Sequence, residues 1–86
     1  MVALMTGRRK KYPFQLVEVH WKEAQTGHGW EHEEDLTVEI PIVITVGFLI
    51  KENDDGLVIA SSVGTDRHSN ARITIPKGMV VTRKDL

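Results

Sequence analysis

One predicted hairpin tip, residues 61–70, combines the groups that proteins use to bind anions. Its sequence supplies hydroxyl groups, a glycine that exposes backbone N–H groups, and basic side chains. None of the glycine spacings of common phosphate-binding loops is present. The tip therefore predicts either a site for a small anionic ligand such as a nucleotide, between subunits, or a solvated turn. The candidate ligands are Ser62, Gly64, Thr65, Arg67 and His68.

An acidic segment holds a second group of polar side chains, where His28 and His32 flank Trp30. Two histidines four residues apart share a face only on a helix, and Gly27 and Gly29 each oppose a helix by about 1 kcal/mol. We therefore expect no metal site. Trp30 is expected either to cover the core or to contact a partner. The partner-binding candidates in this segment are Trp30, Glu31, Glu33 and Glu34.

A basic run precedes the only tyrosine of the chain. It consists of Arg8, Arg9, Lys10 and Lys11, and it indicates a solvated tail or an arm that binds a partner. Nucleic acid is a weaker candidate, because the pI near 6.4 leaves little net positive charge to neutralise phosphates.

Catalysis finds no support in the residue types and their order. The four histidines are His20, His28, His32 and His68, and no acid, base and nucleophile are brought together by the predicted strand order. We expect that the protein is not an enzyme and that it binds no cofactor.

The 86-residue length predicts one small domain, residues 13–86, preceded by a flexible basic arm, residues 1–12. There is no cysteine, so self-association is the expected additional source of stability. The N-terminus lacks the apolar stretch of a secretory signal, and the longest apolar run, residues 40–50, is shorter than the roughly 20 residues that span a bilayer. A cytoplasmic location is expected.

Charge is segregated along the chain although the net charge is only -1. Residues 1–22 carry +4, residues 23–55 carry -8, and residues 56–86 carry +3. This order predicts head-to-tail complementarity between subunits. Lys77, Arg83 and Lys84 are candidates to meet the acidic residues 31–35 of a neighbour.

Alternating apolar residues and turn signals predict five short strands. The first runs from Phe14 to Lys22 and is followed by a long loop, residues 23–37. The second has one continuously apolar face, from Ile40 through Ile50, and one mixed face, with Gly47 allowing a bend. A turn at residues 53–56 leads into a third strand, residues 57–62. A looser tip at residues 63–70 leads into a fourth strand, residues 71–75. A one-turn helix then precedes the last strand, residues 79–83. This arrangement predicts an all-β, five-stranded Src-homology-3-like (SH3-like) barrel, with the Sm-like fold as its near neighbour.

Three segments then carry a resemblance to a known group of proteins. They are Val46-Gly47-Phe48-Leu49-Ile50-Lys51, Leu57-Val58-Ile59-Ala60-Ser61-Ser62 and Ile75-Pro76-Lys77-Gly78-Met79-Val80. Together they resemble the small, uncharacterised barrel proteins of tailed bacteriophages. The resemblance implies a viral origin, a location in the host cytoplasm, and a role in virion assembly, host takeover or counter-defence.

The sequence as a whole predicts a non-enzymatic interaction module that self-associates and binds a protein partner through the basic arm, the acidic loop and free strand edges. Two alternatives stay open at this point, an oligomeric binder of a small anionic ligand and an accessory protein that binds nucleic acid.

Overall fold

The computed structural model describes residues 12–86 and contains five β-strands and two single turns of 3-10 helix. The predicted basic arm, apart from Tyr12, lies outside the described residues. The elements are β1 (Gln15–Lys22), a 3-10 turn (Glu33–Asp35), β2 (Ile42–Glu52), β3 (Gly56–Val63), β4 (Ser69–Pro76), a second 3-10 turn (Lys77–Met79) and β5 (Val80–Asp85). Within residues 12–86, neither helical turn has the length or the apolar character needed to cross a membrane.

All five strands are antiparallel and belong to one sheet with the order β4-β3-β2-β1-β5. The all-β prediction is therefore confirmed, and each strand begins and ends within two residues of its predicted bounds. The sheet does not close on itself, so β4 and β5 remain its two edges among the described residues. Barrel closure is the part of the prediction that the sheet does not show.

The core lies on one face of the sheet. Val17, Val19 and Trp21 alternate along β1, as the period of two requires, and all three are buried. They pack with side chains of β3 and β4, namely Leu57, Ile59 and Ile75. The partly buried Val43, Leu49, Ile73 and Val80 complete this cluster. The Trp21 indole N–H donates a 2.9 Å hydrogen bond to the Thr45 hydroxyl, so its polar atom is satisfied.

The hairpin between β2 and β3 forms as its sequence predicts. The Asn53 side-chain oxygen accepts hydrogen bonds from the N–H groups of Asp55 and Gly56, at 2.8 and 3.1 Å. These two hydrogen bonds from the backbone to the Asn53 side chain stabilise the turn, and they are the reason that asparagine is favoured at such positions. Gly56 is required here for space, because a Cβ atom would lie 2.7 Å from the Ile75 carbonyl oxygen.

Candidate interaction surface

The continuously apolar face of β2 lies on the outside of the molecule. Ile42, Ile44 and Val46 are 50%, 60% and 52% exposed, whereas the mixed face, which includes Val43, Thr45 and Gly47, faces the core. The alternation continues before the strand, through three further exposed apolar residues. We call the complete set the apolar stripe: Leu36, Val38, Ile40, Ile42, Ile44 and Val46.

The same part of β2 has a free edge. Ile42–Gly47 pair with β1 on one side, but the ladder between β2 and β3 begins only at Phe48, which lies opposite Ala60. A Cβ atom on Gly47 would lie 2.6 Å from the Ala60 carbonyl oxygen, and Gly47 belongs to the core-facing side of β2. β3 therefore leaves toward the core side of β2, and among residues 12–86 no strand pairs with the outer side of residues 42–47.

Polar side chains of β1 flank the apolar stripe on its paired side. Glu18, His20 and Lys22 lie directly opposite Val46, Ile44 and Ile42. The His20 Nε2 atom is 2.8 Å from the Glu18 Oε2 atom. The outer surface of this half of the sheet therefore consists of a polar row, an apolar row and then an open edge. This order is typical of a protein contact surface with a polar rim.

The long loop between β1 and β2 extends away from the core. Every residue from 23 to 40 is exposed, and Trp30 is fully exposed. The expectation that Trp30 covers the core is therefore wrong, because the loop does not fold back over the sheet. Its alternative, a partner contact, stays a prediction. Glu31, Glu33 and Glu34 are exposed beside it, and the 3-10 turn begins after His32, whose Nδ1 accepts a 3.2 Å hydrogen bond from the Glu34 N–H.

Metal ligands do not converge in this loop. Within residues 12–86, no group of three or more histidine, cysteine, aspartate or glutamate side chains is placed to hold a metal ion. His28 and His32 lie in extended, non-helical chain apart from the short turn, so their four-residue spacing does not bring them to one face.

The hairpin tip brings its predicted anion ligands into a tight turn, but its arginine faces elsewhere. The Arg67 guanidinium lies 4.3 Å from the centre of the Phe14 ring and donates a 3.3 Å hydrogen bond to the Pro13 carbonyl. Asp66 is inside the same turn, where it accepts a hydrogen bond from the His68 N–H and pairs with the His68 ring at 3.1 Å. Ser62 lies in β3 opposite Asn70 of β4, and Gly64 and Thr65 lie in the turn that follows β3, where the Gly64 carbonyl accepts a 2.9 Å hydrogen bond from the Arg67 N–H.

The basic side chains near the C-terminus are engaged within the chain. Glu52 pairs with Arg83 at 2.7 Å and with Lys77 at 2.8 Å. Hydrogen bonds from Arg83 and Lys77 lower the pKa of Glu52 to about 2, and the bond to Glu52 raises the pKa of Arg83. Lys77 and Arg83 thus bond to Glu52 of the same chain, and the contact of Lys77, Arg83 and Lys84 with a neighbour's acidic residues stays a prediction.

A bulge explains why Glu52 reaches these partners. Leu49 lies opposite Ile59, but Lys51 lies opposite Val58, so Ile50 is the extra residue. The extra residue changes the alternation, and Glu52 then lies opposite the core residue Leu57. Arg83 lies opposite the core residue Val19. The ion pair therefore connects the end of β2 to β5 on the core side of the sheet.

The remaining partner-binding candidates are Arg8, Arg9, Lys10 and Lys11, and they lie outside the described residues. The chain that follows them is held on the outer face of the sheet: the Tyr12 and Phe48 rings meet edge to face, with 5.3 Å between their centres. Comparison of the chain with models of known families, with curated proteins and with solved structures gives no match.

Proposed function

We propose that this chain is a non-enzymatic interaction module that self-associates through the apolar stripe and the free edge of β2. One observation carries the proposal: the most apolar face of the longest strand is exposed, and the backbone beside it is unpaired. Unpaired strand edges are templates for pairing with another chain, and soluble proteins usually protect them with charges, proline or a covering loop. Ile42–Gly47 contain no charged residue and no proline.

The exposed apolar area is large enough to matter energetically. Burying a whole isoleucine, leucine or valine side chain contributes about 1.5–3 kcal/mol. The six stripe residues are each half exposed or more, so their burial represents roughly 5–11 kcal/mol per copy. That gain is comparable to the estimated 4–15 kcal/mol that association costs in lost freedom. Because a dimer buries the stripes of both copies, burial of this apolar surface offsets most or all of that cost without a contribution from charge.

We also propose that the module is an SH3-like barrel of the phage type. The strand order β4-β3-β2-β1-β5 and the 3-10 turn between β4 and β5 support the barrel, and so does the ion pair of Glu52 with Arg83 on the core side of the sheet. The resemblance of the three short segments supports the phage type. On this proposal the protein acts by assembly or by occupying a partner rather than by chemistry.

Size-exclusion chromatography with light scattering, over a wide range of protein concentration, tests the self-association. We expect a mass of at least twice that of the single chain. Ile44→Glu should shift the chain to the monomer, because each copy loses about 1–2 kcal/mol of apolar burial and places a carboxylate in the interface. The lost burial of two copies, about 2–4 kcal/mol, should raise the dissociation constant by at least about thirtyfold, since each tenfold change corresponds to 1.4 kcal/mol.

Val81→Glu is the matched control. Val81 is also a β-branched strand residue and is 49% exposed, but it lies on β5 and away from the apolar stripe. Its substitution should leave the mass unchanged, and circular dichroism should show that both variants are folded. A wild-type chain that is monomeric at every concentration, or an Ile44→Glu variant with unchanged mass, contradicts the proposal.

A further inference from the structure

We infer that two copies of this chain pair through the free edges of β2 in an antiparallel, two-fold arrangement centred on Ile44. The inference rests on the proposed self-association and adds the partner strand, its direction and its register. Two copies of β1 and β2 would then form one continuous sheet with the order β1-β2-β2-β1, in which the second β2 and β1 belong to the other copy.

The backbone of residues 42–47 provides the first requirement. Along a strand, the N–H and C=O groups of alternate residues point to opposite sides, so half of these groups bond to β1 and half point outward. Pro41 precedes the segment and lacks an N–H group, and Phe48 begins the ladder with β3. The open edge is therefore six residues long, close to the length of an ordinary strand.

The side chains are self-complementary about one residue. A two-fold axis perpendicular to the sheet and passing beside Ile44 places Ile44 opposite its own copy and Ile42 opposite Val46 of the other chain. Every pair on the outer face then joins two β-branched side chains, which are favourable neighbours across strands. Because the axis is perpendicular to the sheet, Ile42, Ile44 and Val46 of both copies lie on the same face. These six side chains then shield one another from solvent.

Charge decides between the antiparallel and the parallel direction. Residues 23–41, which join β1 to β2, contain six acidic residues and no lysine or arginine. Parallel pairing would bring the two acidic loops together. Antiparallel pairing places Pro41 beside Gly47 of the other copy, so the two acidic loops lie at opposite ends of the paired strands.

Cysteine cross-linking tests the register directly, since the chain has no cysteine of its own. Directly opposed residues of antiparallel strands have Cα atoms about 4.5–5.5 Å apart, within the range that a disulfide bridges. Ile44→Cys should therefore form a covalent dimer under mild oxidation. In Ile42→Cys alone, the two thiols would lie four residues apart along the strands, about 13 Å, which is too far.

The mixture of two variants gives the second readout. Ile42→Cys and Val46→Cys should each stay largely uncrosslinked alone and form a mixed disulfide together, at least about tenfold faster than Val81→Cys forms a dimer. Light scattering on reduced samples shows which variants still associate. The register is wrong, and the proposed function stands, if Ile44→Cys associates when reduced but forms no disulfide on oxidation. The same conclusion follows if Ile42→Cys alone cross-links as fast as Ile44→Cys. A wild-type chain that stays monomeric overturns both.

Discussion

Gly47 is the position where the structure makes the sharpest stability prediction. A Cβ atom there would lie 2.6 Å from the Ala60 carbonyl oxygen and 2.7 Å from the Ile59 Cγ2 atom. The first is backbone and the second belongs to a side chain that is 1% exposed, so neither can move aside without shifting β3 or the core. Gly47→Ala should therefore destabilise the fold, although alanine also reduces the freedom of the unfolded chain.

The magnitude follows from these two opposing effects. Inserting a methyl group into a packed site costs about 1–3 kcal/mol, and the effect on the unfolded chain returns about 0.4–1 kcal/mol. The net loss should be about 1–2 kcal/mol, which lowers the melting temperature of a domain of this size by roughly 4–16 °C.

Thermal unfolding followed by circular dichroism, at one fixed protein concentration, measures this loss. Gly78→Ala is the matched control, because a Cβ atom on Gly78 meets no other atom within 4 Å and its substitution makes the same chemical change. We expect the control to melt at or slightly above the wild-type temperature. If Gly47→Ala melts with the control, β3 does not pass beneath β2 at this point, and the argument for a free edge on residues 42–47 fails with it.

Two further predictions concern contacts that hold separate parts of the sheet together. Glu52→Gln should remove one contribution to the pH dependence of the free energy of unfolding. The pKa of Glu52 is lowered from its ordinary 4.5 to about 2, so the stability that the ionised carboxylate contributes is present above pH 4.5 and is lost as the pH falls toward 2. The group is partly exposed, so in urea unfolding the wild-type chain should lose only up to about 1 kcal/mol more than the variant between pH 6 and pH 3; equal losses would contradict the contribution of this ion pair. Arg67→Ala should lower the stability by about 0.5–1.5 kcal/mol, because it removes the contact with the Phe14 ring and the hydrogen bond to Pro13. Arg72→Ala is the control, since Arg72 bonds only to Ser69 nearby in the chain, and identical denaturation midpoints for the two variants would show that the tip is not anchored through Arg67.

The proposed pairing gives the charge segregation of the sequence a structural setting. The acidic loop leaves the sheet at Lys22 and returns at Ile42, and the other end of β1 is about 26 Å away for eight residues. Two copies paired antiparallel therefore keep their acidic loops at opposite ends of the shared sheet, beyond the range of a screened repulsion.

Local patterns were sufficient to predict most of the secondary structure. The period of two in β1 predicted which of its side chains are buried, and Val17, Val19 and Trp21 are the residues that fill the core. Asn53 and Gly56 predicted the tight hairpin, and Pro76 predicted the interruption before β5. These features depend on residues close together in the chain, so the residue types of a short segment are sufficient to predict them.

The candidate surface needed information that is not local. The hydrophobic pattern of β2 by itself favours burial of Ile42, Ile44 and Val46, because binary patterning assigns the more apolar face to the core. The structure reverses this choice, since β3 passes on the core side of Gly47 and buries the mixed face instead. A possible sequence signal was the continuation of the alternation through Leu36, Val38 and Ile40, beyond the strand and across Pro41.

The sequence by itself therefore determined the strands, the turns and the segregation of charge, because each depends on residues close together in the chain. Only the tertiary structure decided which face of β2 is outside, that Glu52 rather than Lys51 reaches Arg83, and that Arg67 lies on Phe14 instead of opening toward a ligand. These outcomes depend on a bulge at Ile50 and on two contacts between residues that are distant in the chain. Glu52 and Arg83 are 31 positions apart, and Phe14 and Arg67 are 53 positions apart. Such contacts are set by how the sheet bends, and the bend is a property of all five strands together.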